Sequence, residues 1–430
     1  MNRKILNVIV AGLVTLQVSS QTSLLQQKPL KVEVRMVDSN YRLYRDGKPY
    51  FIKGAGGSNY LQQLAAYGGN SIRTWSSRNG NKVLDSAHSY GLTVLMGLAV
   101  TPERHNFNYN DTAAVRKQFD RIREEVLKYK DHPALLAWGI GNELNLQYTN
   151  PKVWDAVNAI AQMIHELDPN HPTSTVLSGI SKTEVDYIKA QCPAVDILSI
   201  NTYGGLASLP RQVRTLGWDG AYMVTEWGPT GHWEVLQTEW KTPIEENSSE
   251  KAAVYKSRYE YSVEKDKEKC LGSYVFLWGQ KQERTPTWYG LFTEKGEESE
   301  VMDVMQYLWT GNWPVNMAPH IYSLQINKKK AAESVYLKAG SNYEALAVAT
   351  DPDRDKLTYR WELLPEPVKL SEGGDFEERP KAIAGGFMND RNNGKVTLKA
   401  PTGKGAYRLF VYITDGKNNV ATANIPFYVK

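Results

Sequence analysis

The hydrophobic pattern changes period twice along the chain. Lys31 to Arg35 alternates polar and apolar residues, as does Tyr41 to Tyr44, and Asp46-Gly47 separates the second stretch from Tyr50-Phe51. Alternation punctuated by Asp-Gly predicts a small antiparallel ribbon, placed to close the bottom of whatever follows. From Tyr50 onward the pattern is one of short continuous apolar runs: Phe51 to Gly54, Ser71 to Trp75, Thr93 to Leu98, Leu135 to Glu143, Ser174 to Ser178, Asp196 to Asn201, Tyr222 to Glu226 and Ser273 to Trp278. Runs of this length bounded by turn residues predict strands buried on both faces. Helical periodicity fills several gaps. Val115, Phe119, Ile122 and Val126 share one face behind Asp111, a good N-cap; Trp154, Val157, Ala161 and Ile164 share another behind Asn150 and Pro151. Further helices are predicted over Glu250 to Lys265 and Glu298 to Leu308. Near Trp313-Pro314 the helical pattern ends. Leu357 to Trp361, Lys395 to Leu398, Tyr407 to Ile413 and Ala421 to Val429 read as strands between turn signals such as Gly373-Gly374 and Asp415-Gly416.

Eight β–α units over about 260 residues are the scale of a (β/α)8 TIM barrel. A doubly wound open sheet normally carries a glycine-rich phosphate loop after its first strand. Gly54-Ala55-Gly56-Gly57 lacks that spacing, so the barrel is preferred. The expected organisation is α/β: a catalytic barrel with its N-terminal hairpin over 31–313, then an immunoglobulin-like β-sandwich over 316–430. Residues 1–20 read as a secretory signal peptide. Arg3 and Lys4 precede an apolar run from Ile5 to Val18, and Ser19-Ser20 follow. An exported protein without a membrane anchor is expected, periplasmic or extracellular.

A net charge of +4 without a basic stripe argues against a nucleic-acid partner. Cys192 and Cys270 form neither a disulfide framework nor a metal set, and two free buried thiols are expected. No cofactor is expected. His-Glu-x-x-His and Gly-x-Ser-x-Gly patterns are absent. Asp351, Asp353 and Asp355 offer either a calcium loop or a solvated turn, the latter preferred. The 12 Trp and 25 Tyr are heavy usage. Aromatic faces stack on the apolar faces of sugar rings, although most of these residues serve as core.

The candidate chemistry lies in two stretches. Trp138-Gly139-Ile140-Gly141-Asn142-Glu143 carries a glutamate at the tip of the fourth run, and Tyr222-Met223-Val224-Thr225-Glu226-Trp227-Gly228 carries one in the seventh. Strand C-terminal ends face the active site of a barrel. Two carboxyls brought together there are the groups needed to cleave a glycosidic bond, one as proton donor and one at the anomeric carbon.

Trp-Gly-Ile-Gly-Asn-Glu, Thr-Glu-Trp-Gly and Ile-Arg-Thr-Trp resemble the motifs of the large clan of retaining (β/α)8 glycoside hydrolases (clan A). The layout as a whole resembles glycoside hydrolase family 158, endo-β-1,3-glucanases with a C-terminal immunoglobulin-like domain. The resemblance implies Glu143 as acid/base, Glu226 as nucleophile and Asn142 on the sugar 2-hydroxyl. It further implies Arg73 and Tyr203 beside Glu226, and Trp278 as the floor under the reacting sugar. Stacking platforms are expected among Trp75, Trp227, Trp233 and Trp288; His105 is a candidate for substrate contact. The expected substrate is a laminarin-type β-1,3-glucan. Another polysaccharide such as β-mannan or β-galactan, a transglycosylase, or a non-catalytic glycan-binding protein stay open. So does the sandwich, either a spacer or a glycan binder through Tyr359 or Trp361. A monomer is the default.

Overall fold

The structure, a computed structural model, describes residues 29–388 and 392–430. The leader expected over 1–20 lies outside the described residues. All eight apolar runs form the strands of a closed parallel barrel, in chain order Ile52–Gly56, Ser71–Arg73, Thr93–Leu98, Leu135–Ile140, Thr173–Ser178, Ile197–Asn201, Tyr222–Trp227 and Cys270–Val275, the eighth pairing with the first. The third, fourth, seventh and eighth strands are buried at every position. That explains why they show no alternation: their side chains meet either the barrel interior or the helix layer.

A helix follows each strand. Thr112–Tyr129 starts at Asp111, whose carboxylate accepts from the Ala114 amide at 3.0 Å. Lys152–Leu167 starts behind Asn150, whose Oδ1 accepts from the Lys152 amide at 3.1 Å. The helix expected over Glu250 to Lys265 is shorter and begins earlier. Asn247 and Glu250 form a reciprocal cap, the α-helix runs Ser248–Arg258, and Tyr259–Glu264 widens into a π turn. Glu300–Thr310 ends at Gly311, left-handed with φ 79°. Leu61–Ala66, Gly80–Ser89, Lys182–Gln191 and Leu209–Thr215 were not anticipated. Leu61–Ala66 and Leu209–Thr215, of six and seven residues, are too short to display a helical period.

The N-terminal ribbon has three antiparallel strands, Val32–Val37, Asn40–Arg45 and Lys48–Tyr50. The Val32 amide donates to the Asn170 carbonyl and the Tyr41 amide to the Glu268 carbonyl, each at 2.7 Å. Both acceptors precede a barrel strand, so the ribbon sits under the N-terminal end of the barrel. There Val32 and Leu43 pack with Ile52, Leu136, Met223 and Leu271. The opposite end is left free for chemistry.

The C-terminal unit is a β-sandwich. One layer contains Thr358–Pro365, Gly405–Thr414 and Asn419–Val429, with Val335–Leu337 on the edge of the last; the other contains His320–Ile326, Asn342–Thr350 and Lys395–Lys399. Trp361, proposed from sequence as an exposed glycan contact, is 3% exposed and belongs to the core between the layers. Cys192 and Cys270 are free buried thiols. Among the described residues no helix is long and apolar enough to cross a membrane.

The two units are joined by polar groups buried between them. Glu245 pairs with Lys251 at 2.5 Å and also accepts from Asn424 of the sandwich at 2.5 Å. Arg408 reaches back to the Pro243 carbonyl at 2.8 Å and to Asn424 at 2.7 Å. The Thr422 amide donates to Ser248 at 2.9 Å. Removing one member of such a pair strands a buried charge, at a cost of about 3 kcal/mol or more. Lys251→Ala should therefore lower the urea midpoint markedly. Lys182→Ala, which removes an exposed pair with Asp186, should leave it nearly unchanged. Equal midpoints for the two variants would contradict this reading of the junction.

Candidate active site

Two strand ends present the glutamates by different means. After Ile140 the chain turns through Gly141, left-handed at φ 72°, where a Cβ would stand 2.6 Å from Leu144. Glu143 itself has φ 50°, a conformation that costs a non-glycine residue about 1 kcal/mol or more. Its amide is held by the Val176 carbonyl at 3.0 Å. Glu226 instead lies within the seventh strand, its backbone fixed by the ladder.

Glu226 is surrounded by donors. Arg73 Nη1 and Trp75 Nε1 both reach its Oε1 at 2.8 Å, and the Tyr203 hydroxyl reaches Oε2 at 3.1 Å. Arg73 ends the second strand and is 2% exposed. It also donates to Asn142 Oδ1 at 2.5 Å and to the Thr225 carbonyl at 2.8 Å. A carboxylate offers only acceptors, which suits three donors. Trp75 reaches its place because Gly97 lies beneath it: a Cβ at Gly97 would come within 2.4 Å of the Thr74 carbonyl oxygen.

Glu143 has a different environment. Asn201 Nδ2 donates to its Oε1 at 2.9 Å. Burial pushes its carboxyl up to about 7, and the Glu226 charge adds to the rise against the opposing Asn201 and Arg73. Burial and then the Glu226 charge hold the Tyr203 hydroxyl well above its ordinary value, so it remains a donor. One carboxyl is thus saturated with donors and the other is kept near neutrality. That separation of roles is what acid-assisted displacement at an acetal carbon needs.

Both carboxyls open into a cavity of about 960 Å³, lined also by Trp75, Asn142, Tyr203, Trp233 and Phe276. The volume is at the upper end for ligand pockets and admits more than one sugar ring. Glu143, Glu226, Asn142, Arg73, Tyr203 and Trp75 are therefore gathered in one place. Three tryptophans named from sequence are not. Trp278 is 1% exposed; it lies past the end of the eighth strand, donates to the Tyr60 carbonyl at 3.1 Å and packs on Phe292 and Trp309. It is core and forms no floor. Trp227 is 0% exposed, against Tyr255 and Tyr259 in the helix layer. The strand that points Glu226 inward must point its neighbour outward. Trp288 is 1% exposed and donates to the Thr230 carbonyl at 3.0 Å. Trp233 is the aromatic with a free face: it is 57% exposed, lines the cavity and stands edge-on to Tyr203 at 5.6 Å.

Asn201 was not singled out from sequence. It ends the sixth strand and touches Glu143, Asn142, Arg73 and the Thr225 hydroxyl. The available signal was the one that marks the two glutamates, a polar residue ending an apolar run. His105 meets Asp375 at 3.2 Å. In the sandwich, Asp351, Asp355 and Asp415 bring oxygens within 4.8 Å of one another. Asp353 is turned away to the Met317 amide, and Lys417 holds Asp355 at 2.9 Å.

Residues 60–213 match the model of the glycosyl hydrolases family 2 TIM-barrel domain. Similar solved structures include a β-glucuronidase from Bacteroides uniformis (14% identity, 93% of this chain and 48% of that one, TM-score 0.51). β-Glucuronidase 2 of the same organism, covalently bound to cyclophellitol-6-carboxylate aziridine, is another (15%, 93% and 48%, 0.50). A third is the Bifidobacterium dentium β-glucuronidase complexed with coumarin-3-O-glucuronide (18%, 66% and 49%, 0.51). No curated protein matches the chain in sequence. The chain spans about half the length of these structures, and at such identities the likeness is one of fold. The chain carries a (β/α)8 barrel of the glycoside hydrolase type. The match falls on the family 2 barrel domain and does not single out family 158.

Carbon-13 NMR of labelled glutamate side chains should find Glu143 titrating at about 7 in the wild type and lower in Glu226→Gln. A carboxyl whose folded pKa exceeds its unfolded value loses stability as pH rises between the two. Glu143→Gln should therefore gain stability over the wild type between about pH 5 and about pH 8. An ordinary carboxylate titration for Glu143 in both proteins would contradict the asymmetry.

Proposed function

We propose that the chain is a retaining β-glycoside hydrolase that cleaves a neutral β-linked glucan by double displacement. The observation that carries this is the unequal environment of Glu143 and Glu226 in one cavity. Glu143, protonated below about 7, donates its proton to the glycosidic oxygen as the bond to the anomeric carbon breaks. Glu226 attacks that carbon and forms the glycosyl-enzyme ester. Glu143, now ionised, takes a proton from water, which attacks the same carbon and releases Glu226. Arg73, Trp75 and Tyr203 fix the attacking carboxylate. Asn142 Oδ1 is occupied by Arg73 and Asn201, which leaves its N–H groups for a sugar hydroxyl.

The charge around the cavity favours a neutral substrate. With Glu143 protonated, Glu226, Glu234, Glu283 and Glu372 are balanced by Lys241, Lys281 and Arg284 of the lining and by Arg73 on Glu226. Lys281 is held by Glu283 at 2.8 Å and Arg284 by Glu377 at 3.4 Å. Lys281 and Arg284 are thus already engaged by carboxylates, so a uronate would have to displace one of these pairs to meet them. This separates the chain from what its structural neighbours are named for. With the resemblance to family 158, it makes laminarin-type β-1,3-glucan the proposed polymer. The intact carboxyl pair argues against a purely glycan-binding protein.

The test is product release from laminarin, mixed-linkage glucan, mannan, galactan and aryl β-glucosides and β-glucuronides, with wild type and Glu226→Gln. Oligosaccharides from laminarin that first appear as the β-anomer, and a loss of at least about 1,000-fold in the variant, are expected. Turnover confined to the aryl glucuronide would overturn the substrate. Undiminished turnover by Glu226→Gln would overturn the nucleophile.

A further inference from the structure

The cavity is not made by the barrel alone. Leu370, Glu372, Gly373 and Gly374 line it together with Glu143 and Glu226. These four belong to the segment that leaves the sandwich strand Thr358–Pro365, far along the chain from every barrel strand.

The segment is keyed into the barrel mouth at both flanks. Glu377, its side chain fully buried, accepts from the Arg284 amide at 2.8 Å and from Gln282 Nε2 at 3.1 Å, both past the eighth strand. It also accepts from the Ser371 amide at 3.3 Å and so shapes the segment itself. Lys281 donates to the Gly374 carbonyl at 2.7 Å. On the other flank Arg104, past the third strand, pairs with Asp375 at 2.9 Å, and Gln147, past the fourth, donates to Glu372 at 2.7 Å. The segment therefore bridges the rim from the eighth-strand loop to the third and fourth. It passes the side where the barrel's own connections are short: the helix Leu61–Ala66 follows closely on Ile52–Gly56, and Gly80–Ser89 on Ser71–Arg73.

Its tip is built for close approach. Gly373 and Gly374 are both left-handed, at φ 59° and 75°. A Cβ at Gly373 would stand 2.9 Å from Arg104 Nη2 and from Leu146 Cδ2. Leu370 keeps 57% of its surface exposed although it lines the cavity.

We propose that this sandwich segment forms a wall of the substrate cleft and a subsite for sugars beyond the pair that spans the broken bond. Leu370 supplies an apolar surface for the C–H face of a pyranose, and Glu372 accepts from its hydroxyls. Glu377 is the positioning residue that seats the segment. The C-terminal domain then determines chain-length preference. This rests on the hydrolase reading above.

The test compares kcat/KM for a β-1,3-linked hexasaccharide and for an aryl β-glucoside, in wild type, in Leu370→Ser/Glu372→Ala and in Glu377→Gln. The substitutions at Leu370 and Glu372 are on the surface and leave the core intact. The long-to-short ratio should fall by about tenfold in the double variant, chiefly through KM. Glu377→Gln should move the ratio the same way, a change that a purely structural role would not produce. An unchanged ratio in both variants, with the wild type active, overturns the subsite and leaves the hydrolase reading standing. A wild type without turnover of any glycoside overturns both.

Discussion

The site depends on one buried positive charge. Two carboxyls share one cavity, and like charges so placed repel. Arg73 makes the arrangement tenable. At 2% exposure it meets Glu226, Asn142, Asn201 and the Thr225 carbonyl at once, so its own burial is compensated by hydrogen bonds on several sides. Its contacts are unevenly divided. Glu226 has the guanidinium directly, while Glu143 has it only at second hand through the two asparagines. Burial pushes the Glu143 carboxyl up while the direct guanidinium contact falls to Glu226, so two residues of one type meet unlike surroundings.

The fold holds this arrangement by giving each group its own strand end. Arg73 ends the second strand, Asn201 the sixth, Glu226 lies in the seventh, and Glu143 hangs on the turn after the fourth. A closed barrel fixes the relative heights of strands that are far apart in sequence. The ribbon covers the opposite end. The sandwich is tied to the same rim through Glu377 and to the barrel flank through Glu245, Lys251 and Arg408. A domain held at two places is in a position to shape the cleft.

What the sequence disclosed follows from how locally each feature is determined. The eight buried strands were legible because continuous apolar runs have few other uses. The two glutamates were legible because each ends or interrupts such a run. Asp111 as a cap is likewise a local matter. The tryptophans were legible only in part: Trp75 and Trp233 line the cavity, whereas Trp227 adjoins Glu226, yet strand alternation turns it into the helix layer. Asn201 carried the same local mark as the glutamates but lacked a charge to draw notice. The wall segment was legible only as a Gly-Gly turn. Its partners lie past the third, fourth and eighth strands, and no local pattern encodes that meeting.

The most direct test of the central claim is to trap the intermediate. The protein would be incubated with an activated 2-deoxy-2-fluoro-β-glucoside, which slows breakdown of a glycosyl ester more than its formation, then digested and mapped by mass spectrometry. A fluoroglucosyl group on Glu226, absent from Arg73→Met, is the result this account predicts. A label on Glu143, or turnover of β-glucosides with inversion and no covalent adduct, would contradict it.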